Sequence, residues 1–184
     1  MANQEQEPNQ KSYLVLTAVG PDRPGIVSEL SALIHRAGAN VEDSRMAVLG
    51  GEFALLMLVS GSEPALERTT SDAIDNAAKL GLAVTHRSTT RPKKTAAILP
   101  YVLRVTGFDR PGIVQAITSV LARRNVNVSS LDSRIAFAPE SGTPLFVLEA
   151  NLDVPSQTVL SELRRELTAK CDAENLDVTF EAQH

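Results

Sequence analysis

The chain repeats itself once, and that repeat constrains its fold more than any single motif. Leu14–Val41 aligns with Tyr101–Val128 at an offset of 87 residues without a gap, and 12 of the 28 positions are identical. The shared positions include the run Asp-Arg-Pro-Gly-Ile-Val at 22–27 and 109–114. Both segments end in Asn-Val, at Asn40–Val41 and Asn127–Val128. Two residues are then inserted in the second copy, after which Asp43-Ser44-Arg45 meets Asp132-Ser133-Arg134. A solenoid needs three or more repeats, so two copies in 184 residues read as two small domains of about 90 residues each. Thr89–Ile98 carries no such similarity and holds Arg91, Pro92, Lys93 and Lys94. The expected layout is a disordered tail at 1–11, a domain at 12–88, a linker at 89–98 and a second domain at 99–184.

Each copy predicts the same succession of elements. Tyr13–Val19 and Tyr101–Thr106 are β-branched and aliphatic enough for strands. A turn of Gly, Asp and Pro follows, then an amphipathic helix with Ile26, Val27, Leu30, Leu33, Ile34 and Ala37 at helical spacing. Its repeat carries Ile113, Val114, Ile117, Val120 and Leu121. Asp22 and Pro24, like Asp109 and Pro111, sit where an N-cap and a first-turn proline belong. Two strands follow, joined in the first copy by the hairpin signal Gly50–Gly51 and in the second by a longer loop from Pro139 to Pro144. A second helix is expected over Pro64–Lys79, with Leu66, Ala73, Ile74 and Ala77 on one side. Its counterpart is expected over Ser156–Glu174, with Val159, Leu160, Leu163, Leu167 and Cys171 facing inward. Strands Leu82–His86 and Leu176–Phe180 close the units. The order is βαββαβ twice, an α+β chain of two ferredoxin-like domains whose antiparallel sheets carry helices on one face. Phe53–Val59 is apolar at every position, so both sheet faces there need cover from the other domain, a second chain or a partner, and the two domains are expected to pack on each other and the chain to self-associate.

Composition removes several function classes. Eighteen basic against 22 acidic side chains leave a formal charge of −4, which argues against direct binding to nucleic acid. The longest apolar run is far short of the roughly 20 residues of a membrane span. The first eleven residues are polar and lack the apolar stretch of a secretion signal, so a cytoplasmic location is expected. One cysteine makes no internal disulfide, and no Cys/His cluster suggests a metal or other cofactor. His35, His86 and His184 are scattered, and Cys171 lies on an apolar helix face. Glu42 and Asp43 are adjacent and point to opposite faces of a strand. No catalytic constellation emerges, and the chain is not expected to be an enzyme. Asp43 and Arg45 share one side of a strand, as do Asp132 and Arg134. That pattern suits a partner contact and an edge-strand ion pair equally.

The motif Asp22-Arg23-Pro24-Gly25-Ile26-Val27 after a first strand, with Asn40 eighteen residues past Asp22, resembles an ACT domain. The second copy has Asp109, Gly112 and Asn127 at matching spacing, so the resemblance runs from about residue 12 to 182. Tyr13–Val27, Glu42-Asp43-Ser44-Arg45-Met46-Ala47 and Arg87–Pro92 are also similar to the family of glycine cleavage system transcriptional repressors, made of two ACT domains and little else. The resemblance implies an amino-acid-sensing regulatory protein that works by protein–protein contact. In that family the small protein restrains a transcription activator, and glycine relieves the restraint without direct DNA binding. A regulatory subunit of an amino-acid metabolic enzyme is the alternative. A formyl-tetrahydrofolate hydrolase begins with a similar domain, but a second ACT repeat stands where its catalytic domain would be.

The resemblance also implies that the loop and the following Asn contact the ligand, often across a domain interface. By residue this transfers to Asp22, Gly25 and Asn40, and to Asp109, Gly112 and Asn127. The chemistry suits an amino acid such as glycine or serine. A helix N-terminus favours the carboxylate, Gly25 and Gly112 let a ligand approach the backbone, Asp22 accepts from the ammonium, and Asn40 both donates and accepts. Sensing members often carry Asn where this chain has Asp22 and Asp109, and an Asp there also suits a plain helix cap.

Overall fold

The computed structural model describes residues 11–90, 97–138 and 141–183. The chain divides into two compact units, residues 1–93 and 94–184, each with its own sheet and core. The first contains β1 (Ser12–Pro21), α1 (Ile26–Arg36), β2 (Asn40–Leu49), β3 (Glu52–Gly61), α2 (Glu63–Leu80) and β4 (Ala83–Thr89). The second contains β5 (Ile98–Phe108), α3 (Ile113–Arg123), β6 (Asn127–Phe137), β7 (Pro144–Pro155), α4 (Leu160–Ala173) and β8 (Leu176–Ala182). The sheets run β2-β3-β1-β4 and β6-β7-β5-β8 with every pairing antiparallel, the ferredoxin-like order. The expected tail lies outside the described residues, as does most of the expected linker. The described ends of that linker are strand residues: Thr89 closes β4 and Ile98 opens β5.

Alternation along the central strands builds each core. In β3, Phe53, Leu55, Met57 and Val59 point to the helix face, and β1 adds Leu14, Leu16 and Ala18 opposite them. Ile26, Leu30, Leu33 and Ile34 of α1 close over this surface. Leu103, Val105, Leu148, Ala150 and Leu152 repeat the arrangement under Ile117, Leu121, Leu163 and Leu167. A fully buried Leu or Ile side chain contributes about 1.5–3 kcal/mol by leaving water.

The two helices are rotated or shortened relative to the sequence expectation. Ile74 and Val159 face solvent, not the core. In α2 the buried stripe runs through Ala65, Thr69 and Ala73, because Thr69 donates its hydroxyl to the Ala65 carbonyl at 2.9 Å and so enters the core satisfied. Val159 is extended and precedes α4, which starts at Leu160, so its side chain never joins the helical face.

Strand register also corrects the repeat alignment. Val41 and Val128 each precede a one-residue β-bulge, at Glu42 and Ser129. Beyond it Asp43 faces Leu58 and Ser130 faces Asn151, so the offset of 87 continues without any insertion. The offset becomes 93 only in β3 and β7, where Val59 and Leu152 stand opposite Leu14 and Tyr101. The additional residues sit in the β6–β7 hairpin, against the two-residue Gly50–Gly51 turn of the first unit, where both glycines have positive φ. Asp132-Ser133-Arg134 is therefore displaced two residues along its strand from Asp43-Ser44-Arg45. Arg45 and Asp43 pair at 2.6 Å on the exposed edge, whereas Asp132 and Arg134 form no such pair.

The faces opposite the helices differ between the units. Val15, Thr17, Val19, Ala54, Leu56 and Leu58 give the first unit an uncharged centre, with Leu56 half-exposed. The second unit carries Arg104, Glu149, Asn151, Asp153 and Asp177 on that face, with Arg104 bonded to Glu149 at 2.8 Å.

Candidate functional site

The Asp-Arg-Pro-Gly loop leaves β1 at the end of the sheet that also carries the Gly50–Gly51 turn. The Asp22 backbone N–H donates to the Gly51 carbonyl at 3.0 Å and ties the loop to that turn. The chain then enters α1 through Gly25 at φ 96°, a conformation that a side chain would strain. Gly25, not Asp22, is the N-cap residue, and Gly112 takes the same place at φ 96° in the second unit. The expectation that Asp22 and Asp109 cap these helices therefore fails: the left-handed glycine moves each helix start four residues past the aspartate. No side chain caps either helix. The first N–H to close an α-helical bond is that of Glu29, onto the Gly25 carbonyl at 2.9 Å, with Ala116 onto Gly112 as its counterpart. Three first-turn N–H groups ahead of it have no acceptor within the helix and, with the helix dipole, favour an anion, and Asp22 just before the helix is exposed.

The arginine of the loop is engaged differently in the two units. Arg23 grips Glu29 with two bonds, at 2.8 and 3.0 Å, and holds that carboxyl below the ordinary carboxylate range. Ala116 occupies the place of Glu29 in the second copy. Arg110 turns instead to Glu174 at the end of α4, contacting its carboxylate at 2.5 Å and also its carbonyl. Hydrogen bonding from Lys170, with added attraction from Lys170 and Arg110, lowers the Glu174 pKa. Neither Arg23 nor Glu29 stands out as a site residue in the sequence. Their spacing, a loop cation six residues before a first-turn acid, was the available signal.

Asn40 and Asn127 stand at the opposite ends of their sheets. Asn40 faces Ser60, which in turn faces Tyr13, whereas the loop begins only after Pro21. The eight residues from Tyr13 to Pro21 correspond to about 26 Å at the usual rise of a strand. Asn127 is placed likewise, aligned through Asp153 with Pro100 while its loop follows Phe108. Within one unit, then, Asp22 and Gly25 come together, as do Asp109 and Gly112, but neither asparagine joins them. Asn127 donates to Asp153 at 3.0 Å, and Asn40 is exposed at the start of β2. Since β1 and β2 both run antiparallel to β3, they run parallel to each other, and the far end of β2 lies on the loop side.

The β2 edge is open. Of its ten residues only Val41 is even half-buried, and Met46, Val48 and Leu49 expose apolar side chains. The β6 edge similarly exposes Leu131, Ile135 and Phe137. Among the described residues no group of His, Cys, Asp and Glu is arranged to hold a metal, and no helix is long and apolar enough to cross a membrane. His35 and His86 are exposed, and His184 lies outside the described residues. Burial pushes the Cys171 thiol up to about 11.

The ACT-domain pattern matches residues 12–86 and again residues 101–168. The glycine cleavage system transcriptional repressor of Escherichia coli (strain K12) is 30% identical over 181 residues, 96% of this chain and 95% of the relative. The chain belongs to the tandem ACT-domain family of glycine cleavage system transcriptional repressors. Among solved structures, a protein of unknown function from Galdieria sulphuraria superposes with a TM-score of 0.79 at 29% identity, over 95% of this chain and all of that one. A provisionally named glycine cleavage system transcriptional repressor superposes at 0.69, again at 29% identity, over 95% of this chain and 98% of its own. The second ACT match ends within α4, and the structure completes that domain with β8.

Proposed function

We propose that this regulatory ACT protein is a cytoplasmic, glycine-responsive negative regulator of glycine cleavage system transcription, acting by contact with a transcription activator and not by binding DNA. The observation that carries the ligand part is the uncapped N-terminus of α1 behind a left-handed glycine, three residues after exposed Asp22. First-turn N–H groups receive a carboxylate, and Asp22 receives an ammonium, so one small zwitterion satisfies both. Serine is the nearest competitor. The same arrangement at Gly112 and Asp109 makes a second candidate site. The acidic balance of the chain supports indirect action, and its kinship to a named repressor supports negative regulation of transcription.

Asn40 enters such a site from a second copy of the chain. Two β2 edges laid antiparallel bring the start of one strand beside the loop end of the other. The exposed apolar residues of β2 supply the surface that such a contact buries. Glycine relieves repression only if it binds the activator-free form more tightly than the complex, because a ligand shifts an equilibrium only by its differential affinity.

Calorimetric titration with glycine, beside serine, alanine and leucine, tests this reading. Saturable heat with glycine, lost in both Asp22→Ala and Asn40→Ala, is the expected result. Equal affinity in Asn40→Ala removes that residue from the site, and no heat with any amino acid overturns the sensor. Light scattering at micromolar concentration is expected to give more than the single-chain mass. Recovery of a biosynthetic enzyme in place of an activator in a pull-down would redirect the partner assignment.

A further inference from the structure

The opposite edge of the first unit has a different character. Strand β4 pairs with β1 on one side and with no other strand among the described residues on its other side. A cleft of about 900 Å³ opens on the helix side of this edge, between β4 and the α2 face that carries Glu63, Leu66, Glu67 and Thr70. Glu63 and Glu67 lie one turn apart and so share that face. Neither carboxylate takes part in an ion pair or hydrogen bond among the described residues, and the neighbouring Lys11 is drawn to Glu42 at 3.8 Å. A second hollow, of about 750 Å³, lies over Val15, Thr17, Thr85 and Arg87 on the other face of the same strand.

The second unit uses this position differently. Phe180 stands where the first unit has His86, since they face Leu103 and Leu16. Tyr101 stands where the first unit has Leu14. The two rings stack with centroids 4.4 Å apart, and the Arg164 guanidinium lies 5.3 Å from the centre of Phe180. The hollow there is lined by Arg164 and Arg165, and Asp177 and Glu181 add charges to the strand. The cleft of the first unit thus lacks the stacked rings, and its helix wall carries Glu63 and Glu67, whereas the hollow of the second unit carries Arg164 and Arg165 where the first has Thr70 and Ser71.

From this geometry, and resting on the protein-contact function proposed above, we infer that β4 receives an extended segment of a partner protein as an added strand, with Lys or Arg side chains at alternate positions entering the cleft at Glu63 and Glu67. An edge strand offers main-chain hydrogen bonds, and hollows on both faces take alternate side chains, the two requirements of strand addition. The unpaired carboxylates set the sign of the side chains on the helix side. Small apolar side chains on the other face of the segment suit the surface of Val15 and Thr17.

The test uses the full chain and a fluorescein-labelled heptapeptide of alternating Val and Lys, titrated by fluorescence anisotropy. Saturable binding is expected, weakened about ten-fold or more by the exposed double substitution Glu63→Lys/Glu67→Lys. His86→Phe, which restores the ring found in the second unit, is expected to weaken it as well. Two further peptides carry N-methyl groups on alternate amides of one edge or of the other. One of them should lose binding and the other keep it. Equal binding by the charge-reversed chain, equal binding by both methylated peptides, or no saturation would each overturn the assignment. Dissociation of a self-associated chain by Glu63→Lys/Glu67→Lys would overturn it too, by making a second copy the occupant. Glycine titration of the same variants separates the two readings. Peptide failure with glycine heat intact sinks only the β4 groove, and peptide binding without glycine heat sinks only the sensor.

Discussion

At Gly20 an added methyl group would lie 2.4 Å from the Gly81 carbonyl oxygen, with Leu82 close behind. That oxygen belongs to the backbone and cannot swing aside. Gly20→Ala is therefore expected to destabilise the first unit by about 1–3 kcal/mol, read from chemical denaturation. Gly107 is the equivalent position, where the added atom would meet the Leu176 side chain at 2.5 Å. Cys171 gives a second check at this scale. Its side chain is buried, and its thiol is held protonated well above its ordinary range. A thiol reagent at pH 8 should leave the folded chain unlabelled and react with one equivalent after denaturation. Labelling of the native chain would place Cys171 outside the core. The sequence carried the cysteine assignment, because its spacing from Leu163 and Leu167 marks one helix face. It did not carry the helix start at Gly25, since Asp-Arg-Pro-Gly is equally a plausible capped helix until the glycine is known to be left-handed.

Between elements, ion pairs clamp the helices of the second unit. Arg124, just past α3, reaches Glu162 at 2.9 Å and also bonds Glu166, both on α4. Hydrogen bonding from Arg124 holds the Glu166 carboxyl below its ordinary range. A carboxylate depressed in the folded state contributes stability above its unfolded pKa, and that contribution is lost as pH falls through the folded pKa. Glu166→Gln is accordingly expected to lower the melting temperature at pH 7, with the difference from the parent chain vanishing as the pH falls well below the ordinary carboxylate range. A difference that persisted at that acidity would mean the side chain acts by packing. The pair is partly solvent-exposed, so added salt should also shrink the effect. Element order and most helix faces were legible from periodicity. Register was not, because Asp-Ser-Arg recurs two residues out of step. An even displacement keeps every side chain on its face, so the hydrophobic pattern alone could not distinguish the two alignments.

Across the molecule, two separate cores imply two responses to damage. Leu16 lies fully buried in the first core and Leu103, its repeat, in the second. Leu16→Ala should cost about 2–5 kcal/mol. Amide exchange is expected to quicken across residues 12–89 while protection of β5 and β7 stays unchanged. Uniform quickening over both units would show that they unfold as one. The repeat made this division legible, and the apolar run of β3 corresponds to an uncharged outer sheet face in the first unit. The opposite placement of Asn40 and Asp22 was not legible, since spacing along the chain does not reveal which end of a sheet a residue occupies.

The strand order also sets a clock for synthesis. Tyr13 pairs with Thr89, so the first strand of the chain waits for the last strand of its unit. At about 5–20 residues per second, the 76 residues added from Leu14 through Thr89 take roughly 4–15 s to emerge. During that interval β1, whose Leu14, Leu16 and Ala18 are destined for the core, lacks both neighbours until β3 has been made and lacks β4 to the end. The first unit can close only once β4 has left the exit tunnel, so chaperone occupancy on nascent chains should fall then and rise again as β5 emerges.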